Sequence, residues 1–155
     1  MTKVGEGPMR RWRSIAIVAA LGYASFLIWI VWRADTGRMA FWLQLINDWP
    51  GLDKLCHFLL VGGLALMVNW ALGGRQIVLG GRRWGWGTVL VALLATVEEA
   101  SQAFVPVRTC SWWDLGANYA GILLLGPLGV HLARRWWPGS EARKDRPPES
   151  WSVDP

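Results

Sequence analysis

Four apolar runs span residues 14–32, 55–72, 84–104 and 113–132, and a run of roughly 20 apolar residues leaves a polypeptide few folding choices. At ~1.5 Å of rise per residue, each covers most or all of the ~30 Å hydrocarbon core of a bilayer as a helix. The 155 residues are one domain's worth, and a hydrophobic share of 53% with a mean hydropathy of +0.25 is too apolar for an ordinary soluble domain of that size. The expected fold is all-α, an integral membrane bundle of four transmembrane helices.

The first run follows Arg10, Arg11 and Arg13, like the start of a secretory signal. Its apolar part exceeds the roughly 7–15 residues of a signal peptide, and Val31-Trp32-Arg33 offers no small-residue cleavage site, so a retained anchor is expected. Trp29, Trp32, Trp84, Trp86, Trp112, Trp113, Trp136 and Trp137 lie near run ends, where indole prefers the membrane interface. With a cytoplasmic N-terminus, twelve Lys and Arg residues fall on the inner side and four, Arg33, Arg38, Lys54 and Arg108, on the outer side. That asymmetry predicts both termini inside. The net charge of +5 is thereby topological, which argues against nucleic acid as a partner. Residues 1–13 then form a basic cytoplasmic N-terminus, 14–135 the four-helix domain, and 136–155, rich in Pro, Ser, Glu and Arg, a disordered cytoplasmic tail.

Between the first two runs, Met39, Trp42, Leu45, Ile46 and Trp49 recur at helical spacing before Pro50-Gly51. They predict either a short helix in the outer interface or a folded loop with interfacial tryptophans. The basic segment from Gly73-Gly74 to Gly80-Gly81 lacks the spacing of a phosphate-binding loop and reads as a flexible cytoplasmic turn.

Three polar clusters interrupt this apolar pattern: Asp53-Lys54-x-x-His57, Glu98-Glu99-x-x-Gln102 and Asp114-x-x-x-Asn118-x-x-Gly121. An ionisable side chain in a spanning helix costs roughly 2.5–3.5 kcal/mol on insertion scales, so such residues usually face a partner, a cavity or a substrate. Residues 84–97 make only ~21 Å of helix before the first glutamate, so the third helix must continue through Glu98, Glu99 and Gln102. All three clusters then lie in the outer third of the bilayer, Asp114 and Asn118 stacked on one face and Gly116, Ala117 and Ala120 available for close helix approach. Adjacent carboxylates at low dielectric need a nearby cation to stay ionised together; Lys54, Arg108 and His57 are at hand. Such a group can do acid–base chemistry, bind a phosphate-bearing head group or relay protons. The plainer reading is a buried ion-pair network that fixes helix registry. Cys56 and Cys110 are a disulfide pair or two free thiols, and neither a metal site nor a cofactor is expected from these residues.

In order, Asp53-Lys54-x-x-His57-Phe58, Glu98-x-x-Gln102 with Phe104 and Arg108, and Asp114-x-x-x-Asn118-x-x-Gly121 resemble the VanZ-like family of small bacterial membrane proteins across residues 53–129. The resemblance implies an inner-membrane protein of the cell envelope with its polar pocket at the extracytoplasmic face. It also implies a link to resistance against glycopeptide antibiotics of the teicoplanin type. The expected partners are membrane lipids, lipid-linked envelope precursors or a lipoglycopeptide. If the protein is an enzyme, Glu98 or Glu99 is the acid or base and His57 assists. Lys54 and Arg108 then hold an anionic group, and Asp53, Gln102, Asp114 and Asn118 bind or orient. The alternatives are a non-catalytic binder or scaffold and a small proton-coupled carrier.

Overall fold

The computed structural model describes residues 7–105 and 111–136. The chain forms α1 (Gly7–Asp35), α2 (Ala40–Asn47), α3 (Leu52–Ala71), a hairpin of β1 (Gln76–Leu79) and β2 (Arg82–Gly85), α4 (Trp86–Gln102) and α5 (Trp112–Trp136). Among the described residues, three helices are long and apolar enough to cross a bilayer: residues Trp12–Asp35 of α1, all of α3 and all of α5, with mean hydropathies of 2.2, 1.4 and 1.3. The third apolar run forms α4, whose 17 residues make a helix of about 25 Å. The short amphipathic stretch before Pro50 is helical, as α2.

Burial runs opposite to that of a water-soluble bundle. The core is built of Ala16, Ala20, Ala65, Ala71, Ala95 and Ala133 with Val91, Ile122 and Val130, while Ile28, Leu93, Val97 and Leu124 are each more than 60% exposed. Large apolar side chains outside and small ones inside suit a lipid surround, where helices associate by close backbone approach rather than by hiding apolar surface from water.

That close approach is sharpest between α3 and α5, which run parallel. A Cβ on Gly121 would lie 2.2 Å from the Phe58 carbonyl oxygen, one on Gly62 2.7 Å from Gly121 C, and one on Gly129 2.2 Å from the Leu66 oxygen. Phe58, Gly62 and Leu66 form a four-residue stripe, so the seam is continuous along two turns. Gly116, expected from the sequence to permit close approach, faces open space instead. α1 packs antiparallel to α3, with Ala16 and Ala20 against Ala71 and Ala133 and with the Tyr23 hydroxyl donating to the Leu60 carbonyl at 3.1 Å.

α4 runs antiparallel to α3 and α5. Near its start, Asn69 Nδ2 donates to Thr88 Oγ1 (2.8 Å) and to the Gly126 carbonyl (3.1 Å), and Asn69 Oδ1 accepts from the Gly87 amide (2.8 Å). Asn69 thus satisfies one of the orphan N–H groups at the start of α4 and ties three helices together. At its other end Glu99 reaches the start of α5. The segment before α4 departs from the expected flexible turn. It is an antiparallel hairpin with Ile77 opposite Trp84 and Leu79 opposite Arg82, turned by Gly80 (φ +58°) and Gly81 (φ +75°). Two successive positive φ values suit the two-residue turn that matches strand twist, and glycine adopts them without strain. The bundle therefore has a hairpin end and an opposite, polar end.

Candidate functional site

Helix direction assembles the polar end. Because α3 and α5 are parallel, their first turns lie side by side, and each carries an aspartate there, Asp53 and Asp114, where the helix dipole favours negative charge. Lys54 lies between them: its Nζ donates to Asp53 Oδ2 at 2.6 Å and to Asp114 Oδ1. One turn deeper, His57 Nε2 is 3.8 Å from Asp114 Oδ2, and His57 Nδ1 is 3.2 Å from Asn118 Oδ1. The imidazole therefore has an acceptor beside each nitrogen, a carboxylate on one side and an amide oxygen on the other. Asn118 is 1% exposed, and its Nδ2 has no hydrogen-bond partner among the described residues.

α4 arrives from the opposite direction and brings its C-terminal turn to the same end. Glu98 Oε1 accepts from Gln102 Nε2 at 2.9 Å, the one-turn pairing expected from their spacing. Glu99 points inward and is 2% exposed. Its Oε1 accepts from the Ser111 backbone amide at 2.6 Å, tying α4 to the start of α5, and its Oε2 has no partner among the described residues. A buried carboxyl oxygen left without a partner carries a desolvation penalty of about 1–3 kcal/mol, so Oε2, unpartnered among the described residues, is placed to accept a further donor.

Asp53, Lys54, His57, Asp114 and Asn118 thus form one connected group, with Glu98, Glu99 and Gln102 at the same end on α4. The pairing of the cation differs from the sequence expectation: Lys54 is held by the two aspartates rather than drawn to the glutamates. Arg108, the other expected cation, and Cys110, which with Cys56 was read as a disulfide pair or two free thiols, lie outside the described residues. Among the described residues no three His, Cys, Asp or Glu side chains converge as a metal site requires. Sequence reading missed Asn69 and Thr88, each a single polar residue in an apolar run. It also missed the Thr96 and Tyr119 hydroxyls, which meet at 2.9 Å between α4 and α5. A polar residue flanked by apolar neighbours within such a run is itself the signal that would have found Asn69 and Thr96.

Fold and site define a membrane-embedded helical bundle with a cluster of carboxylates, Lys54 and His57 at one end. No family model, curated protein or solved structure matches the chain.

Proposed function

We propose that the protein is a VanZ-like inner-membrane protein of the bacterial cell envelope, with four membrane crossings and both termini in the cytoplasm. Its polar end then forms a pocket for lipid head groups at the extracytoplasmic face. Two parallel spanning helices, α3 and α5, require a return crossing between them, and antiparallel α4 is the segment available to make it. The basic residues at the hairpin end, Arg82, Arg83, Arg134 and Arg135, support the orientation.

The observation that carries the reading is Glu99, a carboxyl 2% exposed with one oxygen uncommitted among the described residues, one helix away from the His57 imidazole. The balance of charge favours a glycosylated head group over a purely anionic one. Lys54 is already flanked by two carboxylates, and Asp53, Glu98, Glu99 and Asp114 outnumber the described cations of the site. Carboxylates are acceptors and suit the hydroxyls of a sugar. In a catalytic version Glu99 is the acid or base, with Glu98 and His57 beside it; in a binding version the same groups present a lipid-linked precursor, or a lipoglycopeptide of the teicoplanin type, without changing it. The doubly paired Lys54 is the feature that favours the second version, because it resembles a registry-fixing network.

Mass spectrometry of lipids that copurify with wild type but not with Glu99→Gln tests this. The substitution keeps an acceptor for the Ser111 amide and removes the carboxyl. A glycosylated lipid retained only by wild type is expected, chemically altered if the protein is an enzyme and unaltered if it is a binder. Identical lipid profiles from both proteins would defeat the proposal.

A further inference from the structure

A second surface, outside the polar cluster, runs from the hairpin along α4 and α5. The hairpin, α4 and α5 border an open apolar groove of about 260 Å³ lined by Leu79, Trp84, Val89, Ala92, Ile122 and Leu123. The Thr96–Tyr119 hydroxyl pair joins α4 and α5 farther from the hairpin, and Tyr119 borders the groove there.

The hairpin register decides what stands on the groove side. Residues directly opposite one another in an antiparallel pair share a face, and alternate residues along a strand share it too. Ile77, Leu79, Arg82 and Trp84 therefore project from one face and Val78 and Arg83 from the other. Leu79 and Trp84 line the groove, so Arg82, the direct partner of Leu79, stands on the groove face. Arg82 is exposed and makes no ion pair with any carboxylate among the described residues. An open apolar groove with a guanidinium on the same hairpin face matches one acyl chain and the phosphate it hangs from.

We propose that this groove seats a single anionic phospholipid from the leaflet on the hairpin side, one acyl chain lying between α4 and α5 and its phosphate held by Arg82. The seat requires membrane embedding but no chemistry at the polar end, so it stands or falls separately from the head-group pocket.

Native mass spectrometry of the detergent-purified protein, titrated with phosphatidylglycerol or with phosphatidylcholine of the same chains, tests it. Wild type is expected to bind phosphatidylglycerol more tightly. Arg82→Gln should weaken that binding about fivefold, the effect of one arginine near a lipid surface, and leave phosphatidylcholine unchanged. Arg83→Gln removes the same charge from the other face of the hairpin and should change neither; both arginines are exposed, so neither substitution disturbs packing. Ala92→Phe fills the groove and should weaken both lipids. Glycerol 3-phosphate should fail to compete, because the acyl chain carries the docking. Equal losses from Arg82→Gln and Arg83→Gln would reduce the effect to general surface charge and overturn the seat. So would equal affinity for the two lipids, full binding by Ala92→Phe, or competition by glycerol 3-phosphate.

Discussion

Replacing Gly121 by alanine probes the seam on which the polar end depends. The added Cβ would stand 2.2 Å from the Phe58 carbonyl oxygen, 3.0 Å from its carbon and 3.1 Å from its Cα. All three are backbone atoms of a helix, so no side chain can swing aside. To reach ordinary van der Waals separation α3 and α5 must part by roughly 1 Å at that level, and overpacking of this kind typically costs about 1–3 kcal/mol. The upper end of that range applies here, because Gly62 against Gly121 and Gly129 against Leu66 hold the same seam equally close toward the hairpin end. About 3 kcal/mol lowers the folded-to-unfolded ratio roughly 150-fold. The displacement also reaches the site: Asn118 lies one turn from Gly121, and an extra ångström would open its 3.2 Å contact with His57 beyond hydrogen-bonding range. Reversible unfolding in mixed micelles, followed by helix signal, measures the cost. Gly116→Ala on the same helix is the control. It meets nothing within 4 Å and should fall within about 1 kcal/mol of wild type, on the stabilising side if helix propensity counts. Equal stability of the two variants would refute the backbone-contact account of the seam.

Three further outcomes follow from the geometry. Lys54→Met and Asp114→Asn should be non-additive by about 1–2 kcal/mol in a double-mutant cycle, less than for a fully buried pair because the Lys54 side chain is 37% exposed; additive costs would separate the two residues. Asn69→Ala strips partners from the Gly87 amide, Thr88 and the Gly126 carbonyl and should destabilise by about 2–3 kcal/mol, read in the same micelle assay; a neutral effect would mean that α4 is held by other contacts. Reporter fusions after residues 48 and 108 should be extracytoplasmic and those after residues 83 and 135 cytoplasmic, the reverse pattern overturning the orientation.

The helices were legible because lipid demands long uninterrupted apolarity, and the runs at 14–32, 55–72 and 113–132 fall within or largely within α1, α3 and α5. Phase was legible as well: the stacking of Asp114 on Asn118 and of Glu98 on Gln102 follows from helical spacing alone. Partner choice was not. Which residue Lys54 meets depends on α3 and α5 running parallel, a relation set by an intervening helix and by glycine contacts far from Lys54. The hairpin was missed because glycine richness suggests looseness, whereas Ile77-Val78-Leu79 before Gly80-Gly81 carries the β-branched strand and two-residue turn pattern. Its second strand took Trp84 and Gly85 from the apolar run, which is why α4 starts at Trp86.

The 60-residue separation of Lys54 and Asp114 along the chain also sets an order of events at the ribosome. At a synthesis rate of about 5–20 residues per second, α3 reaches the membrane roughly 3–12 s before its partner on α5 exists. During that interval a lone lysine near the start of a spanning segment has no counterpart on another helix. Asp53, adjacent in the chain and already 2.6 Å from the ammonium in the finished fold, is synthesised with it, so the segment enters the bilayer carrying its own counterion. The doubled acidic partnership of Lys54 thus reads as a relay in time, Asp53 serving the nascent chain and Asp114 completing the assembled one.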